Sequence, residues 1–115
     1  MPPRIQSMTS TLKLGDVYIC SFPFTSGQFS KPRPVLVLLD LEEDCLIARI
    51  TSVPHTGLLD VPLTQWREAG LEKPSVVRLT RLVTTEKMLL KLKIGELSSV
   101  DLQSVRLAWN QHLRL

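Results

Sequence analysis

Five apolar residues in a row, Val35-Leu36-Val37-Leu38-Leu39, limit what this chain can fold into more than any other feature. The run is entered through Lys31-Pro32-Arg33-Pro34 and reaches Leu41, where Glu42-Glu43-Asp44 makes a tight acidic turn. Its length and its bounding turn residues mark a strand buried on both faces. Cys45 to Val53 follows so closely that the two segments form an antiparallel hairpin. Each proline at the entry fixes its own φ and pushes the residue before it toward extended backbone, which restrains Lys31 and Arg33. Arg33 therefore sits on stiff backbone at the mouth of a buried strand. A guanidinium there can present its rigid fork of donors to phosphate or carboxylate, or it can be an exposed cation in an ordinary turn.

The rest of the chain supplies short strands and one helix. Residues 1–10 carry Pro2, Pro3 and small polar residues without periodicity, which predicts a flexible N-terminus ahead of a single domain over 11–115. Val17 to Phe22 is rich in β-branched and aromatic residues and reads as the first strand, stopped by Pro23. Pro23 to Pro34 reads as a long loop in which Phe24 and Phe29 are the large apolar residues. Asp60 to Leu63 fits a short strand, and Thr64 to Gly70 fits one or two helical turns with Thr64 as N-cap and Gly70 as stop. Ser75 to Leu79 and Leu82 to Thr85 are two extended segments. Met88 to Ile94 alternates Leu90, Leu92 and Ile94 with Lys91 and Lys93, a half-exposed strand with a basic outer face. Ser98 to Asp101 has capping-box spacing, and Leu102, Val105, Trp109 and Leu113 follow at helical intervals. Short strands closed by one helix indicate a mainly β architecture, a small, strongly curved antiparallel sheet or barrel.

Charge narrows the partners. Residues 1–60 hold five Lys/Arg against six Asp/Glu, while residues 61–115 hold nine against five. Between Lys73 and Lys93 six cations face Glu86 alone, a stripe that either attracts polyanions or guards a solvated sheet edge. Cys20 and Cys45 have no Cys-x-x-Cys spacing and no histidine cluster around them, so neither a disulfide framework nor a metal site is indicated, and no cofactor is expected. No stretch approaches a membrane span, and the chain reads as cytoplasmic.

Gly15-Asp16-Val17-Tyr18, Lys31 to Leu38, Ile50-Thr51-Ser52, Ser75 to Leu79, and Lys93 to Ser98 ahead of the last helix resemble, in that order, the MazF/PemK (Kid) toxins of bacterial toxin–antitoxin systems. The resemblance spans residues 15 to about 112. It implies an SH3-like antiparallel β-barrel with a C-terminal helix, a homodimer, and a metal-independent, sequence-specific endoribonuclease that cuts single-stranded mRNA. It also implies a cognate antitoxin whose C-terminal segment covers the RNA groove. By resemblance Arg33 and Thr51 fall at the family's catalytic arginine and threonine, and Arg78 where some members carry a second arginine. Lys31 and Ser52 would flank the groove.

Two departures touch the general base. Thr80 stands where some members carry an aspartate, and the first loop reads Thr25-Ser26-Gly27-Gln28 where some carry a histidine. His55 has the right chemistry to replace them as acid or base, or is a solvated turn residue. Gln28 and Phe29 either contact bases, with Phe29 as a stacking platform, or pin the loop to its own domain. The competing reading of the whole chain is a catalytically inactive SH3-like dimer that binds nucleic acid or a peptide.

Overall fold

The computed structural model describes residues 12–21 and 31–113. Its strands are β1 (Asp16–Ser21), β2 (Pro32–Leu41), β3 (Asp44–Thr51), β4 (Asp60–Pro62), β5 (Val76–Glu86) and β6 (Leu90–Glu96), followed by helix α1 (Ser99–His112). A short 3-10 turn, Lys87–Leu89, joins β5 to β6. All pairings are antiparallel, in the order β4-β5-β3-β2-β1-β6. The mainly β architecture with a C-terminal helix is as the sequence indicates. The flexible N-terminus expected over residues 1–10 and the loop carrying Gln28 and Phe29 lie outside the described residues.

The sheet is open, with β4 and β6 at its edges, and does not close as a barrel by strand pairing. The segment after β4 closes the gap instead. Gly95 of β6 lies so near this segment that a Cβ on it would fall 2.5 Å from the Ala69 carbonyl, and one on Gly70 would fall 2.0 Å from the Ile94 oxygen. Gly70 also has φ +82°, which favours glycine independently. Residues 64–70 are not a helix. They form consecutive turns in which Glu68, Ala69 and Gly70 donate to the carbonyls of Gln65, Trp66 and Arg67. Thr64 does not cap them, because its hydroxyl donates to Asp101 at 2.8 Å.

Alternation along the strands separates two cores. Val17, Leu36, Ala48, Ile50, Val77 and Leu79 line the larger one, on which Leu102, Val105 and Trp109 of α1 pack. Cys20, Val35, Val37, Cys45 and Ile47 form the smaller. Burial on both faces of β2 therefore holds for Val35–Val37, but Leu39 is 51% exposed, because a register shift between Val37 and Leu39 turns the end of the strand outward. The two extended segments expected between Ser75 and Thr85 are one strand. Leu82 pairs with Ala48 and Arg78 with Arg49, so residues 79–81 bulge between them.

The N-terminus of α1 is half of a capping box. Ser98 Oγ accepts from the Asp101 N–H at 3.2 Å, but the Asp101 carboxylate turns away to the Thr64–Gln65 backbone. Among the described residues, no helix is long and apolar enough to cross a membrane.

Candidate active site

The hairpin register assembles the site. Val35 of β2 pairs with Arg49 of β3 at the open end of the hairpin, and by strand alternation Arg33, two residues before Val35, and Thr51, two residues after Arg49, lie on the same face of the sheet. On the other side of β3, Arg49 pairs with Arg78 and Thr51 with Val76, and Asp60 of β4 pairs with Arg78. One face of the strand ends thus carries Arg33, Arg49, Thr51 and Arg78 in adjoining rows. Arg33, Arg49, Thr51 and Ser52 line a cleft of about 530 Å³, together with Ile50 and, from the β4–β5 connection, Glu72, Lys73 and Ser75.

Charge in this region is predominantly positive. Burial first, and then the neighbouring charges of Arg33, Arg81 and Arg78, draw the pKa of Arg49 below its ordinary value. The folded chain therefore holds like charges together at a cost that a bound anion would relieve. Arg78 is already engaged, its Nε donating to Asp60 Oδ1 at 2.9 Å while Asp60 Oδ2 accepts from the Gly57 N–H at 2.8 Å. Thr51 is nearly buried, and its Oγ1 accepts from the Val53 N–H at 3.1 Å. That bond fixes the oxygen and leaves the hydroxyl hydrogen to donate into the cleft.

The structure brings together Arg33, Thr51 and Ser52 of the residues singled out in the sequence. Arg78 lies one strand away in its ion pair with Asp60. His55 is half-buried and bears electrostatically on Asp60 rather than lining the cleft. Lys31 is exposed at the entry to β2, outside the cleft lining, and Gln28 and Phe29 are outside the described residues. The basic stripe between Lys73 and Lys93 divides. Lys87 pairs with Asp40, Lys93 with Asp16 and Glu96, and Arg78 with Asp60, while Lys73 joins the cleft.

Sequence reasoning passed over Arg49, Glu72, Lys73 and Ser75. Arg49 had a signal, being the one charge within the apolar run from Cys45 to Val53 and two residues from Thr51, hence on its face. The other three enter from a connection whose path follows from long-range contacts.

This small β domain gathers guanidinium groups and a fixed hydroxyl at one cleft, a set of donors that suits an anionic group of several oxygens. The chain belongs to the family of PemK-like, MazF-like toxins of type II toxin–antitoxin systems, whose pattern it matches over residues 13–113. Among proteins of curated function, none matches the sequence. Its fold is similar to that of the Mycobacterium tuberculosis toxin MazF-mt6, with a TM-score of 0.69 at 24% identity over 84% of this chain and 93% of that one. It is also similar to an endoribonuclease in complex with its cognate antitoxin from a mycobacterial species, with a TM-score of 0.72 at 19% identity over 90% and 95%. MazF from Deinococcus radiodurans gives 0.69 at 18% identity over 89% and 96%.

Proposed function

We propose that this toxin is a metal-independent endoribonuclease that cuts single-stranded mRNA at particular sequences by attack of the adjoining 2′-hydroxyl, acting in the cytoplasm. One observation carries the reading: Arg33 and Thr51 line one cleft, together with Arg49 and Lys73. Cleavage of this kind needs a base for the 2′-hydroxyl, donors for the negative oxygens of the phosphorane, and a proton for the departing 5′-oxygen. Arg33 and Arg49 suit the second task, because a guanidinium is a permanent charge with a planar array of donors and a poor proton source near neutral pH. The Thr51 hydroxyl adds a hydrogen bond to the same oxygens. Lys31, Ser52, Arg78, Gln28 and Phe29 would hold the flanking nucleotides, while His55, the acid or base that the sequence offered, lies outside the cleft lining.

The partners follow the family. A fold neighbour is an endoribonuclease in complex with its cognate antitoxin, and we propose an antitoxin for this chain, with a homodimer as the toxin form. Met88 and Leu92 are large exposed apolar residues that a second copy could cover. The test is incubation of the purified protein with a long single-stranded RNA in EDTA, with 5′-hydroxyl ends mapped and Arg33→Ala run in parallel. Discrete cuts that vanish in Arg33→Ala are expected. RNA that stays intact while bound in a salt-sensitive way would instead identify a catalytically inactive binding module.

A further inference from the structure

The ribonuclease reading leaves removal of the 2′-hydroxyl proton without a residue, and the cleft lining contains a group that can perform it. Three cations line the cleft, Arg33, Arg49 and Lys73, and three hydroxyls, Thr51, Ser52 and Ser75, but only one carboxylate, Glu72. Guanidinium and ammonium groups have no lone pair to accept a proton, and a hydroxyl is a weak base. Among the described residues of the lining, Glu72 is the one carboxylate able to accept that proton.

Its backbone is held from both sides. The Leu71 N–H donates to the Trp66 carbonyl at 3.1 Å, the Ser75 hydroxyl to the Lys73 carbonyl at 2.8 Å, and the Leu63 N–H to the Ser75 carbonyl at 2.9 Å. Gly70, just before it, sits hard against the Ile94 carbonyl, so the connection cannot slide along β6. Glu72 is exposed on this fixed loop, and its neighbour Lys73 lines the same cleft. A carboxylate that shares its cleft lining with these cations would meet the ribose of a phosphate they held.

We propose that Glu72 is the general base of RNA cleavage, an assignment that rests on the ribonuclease reading above. The Glu72 carboxylate takes the 2′-hydroxyl proton as the O2′–phosphorus bond forms. The phosphorus–O5′ bond breaks, O5′ takes a proton from water, and the hydroxide so formed recovers the proton held by Glu72. No net proton is consumed, and the products are a 2′,3′-cyclic phosphate and a 5′-hydroxyl.

The test compares the full-length wild type with Glu72→Gln and Glu72→Asp in single-turnover cleavage of one RNA across pH, with RNA binding and melting temperature measured alongside. Glu72→Gln is expected to slow cleavage about 100-fold or more. RNA binding should stay equal or tighten, since a negative charge leaves a cationic site. The melting temperature should not move, the acid limb of the rate–pH profile should disappear, and Glu72→Asp should recover part of the rate. A wild-type rate in Glu72→Gln, or a slow rate with the acid limb intact, overturns the assignment while leaving the ribonuclease reading in place. A wild-type protein that leaves RNA uncut overturns both.

Discussion

Removing the Asp101 carboxylate should loosen the wall of the cleft from a distance. Asp101 is fully buried at the start of α1. Its Oδ1 accepts from the Thr64 N–H at 2.9 Å and the Thr64 hydroxyl at 2.8 Å, and its Oδ2 from the Gln65 N–H at 2.8 Å. A hydrogen bond to a charged group contributes about 1.5–3 kcal/mol, and a buried donor left without a partner costs about 1–3 kcal/mol. Thr64 and Gln65 are themselves exposed, so water replaces part of what is lost, and removal of the carboxylate recovers its desolvation cost. The net loss for Asp101→Ala should be about 2–4 kcal/mol. At roughly 4–8 °C per kcal/mol for a domain near 100 residues, the melting temperature should fall by more than about 8 °C. Thr64→Ala alone should cost about 1 kcal/mol, and in the Asp101→Ala background close to nothing, because the partner is already gone. Denaturant melts of the four proteins of that cycle measure the coupling directly. Additive losses, or an Asp101→Ala protein as stable as the wild type, would refute the clamp. Residues 70–73 continue from the clamped turn into the cleft lining, so Asp101→Ala should also slow RNA cleavage at temperatures where it remains folded.

Asp60 makes the fold sensitive to acid. Burial raises its pKa, but the Arg78 hydrogen bond, the Gly57 N–H and the charges of Arg78 and His55 outweigh burial and hold it below the ordinary 3.8. A depressed carboxylate stabilises the fold above that ordinary value, and its contribution is lost as pH falls through the folded value. Asp60→Asn should therefore flatten the loss of stability below about pH 4 in thermal melts, and an unchanged acid slope would contradict the reading. Gly70→Ala combines a forbidden φ with a clash on the Ile94 carbonyl. It should cost more than about 2 kcal/mol or prevent folding, as soluble yield and melting temperature would show. His55→Ala should change the cleavage rate less than about 10-fold, since a general acid or base usually contributes about 100-fold or more and His55 does not line the cleft.

Local chemistry made much of this legible in the sequence. The apolar run at Val35 and the acidic turn specify the hairpin, although Asp44 pairs with Leu41 and leaves Glu42-Glu43 as a two-residue turn, and the hairpin brings its Arg33 and Thr51 ends to one cleft. The helix announced itself through Ser98 and its apolar spacing, and Ser98 does cap it. The bulge in β5 left a trace, because apolar residues stand three apart at Leu79 and Leu82, where a straight strand would alternate. The Thr64–Asp101 clamp left none, since its partners are 37 residues apart and the sequence offers each a local capping role that its side chain does not take. The basic stripe was open to two readings for a related reason. Sequence counts charges along the chain, whereas Asp16, Asp40 and Asp60, which pair with Lys93, Lys87 and Arg78 of the stripe, come from other strands. Closure of the sheet by residues 64–70 rests on contacts with Ile94 and Gly95 that no local pattern encodes.

On the proposed function, the cleft of Arg33 and Thr51 cleaves RNA through the 2′-hydroxyl. The most direct test takes a site mapped in a long RNA and places it in two short oligonucleotides, identical except for a single 2′-deoxy sugar on the 5′ side of the cut. In EDTA the all-ribose strand should yield a 2′,3′-cyclic phosphate and a 5′-hydroxyl, and the deoxy strand should bind but remain whole. Arg33→Ala should leave both intact. Cleavage of the deoxy strand, or of the all-ribose strand by Arg33→Ala at the wild-type rate, would contradict the account.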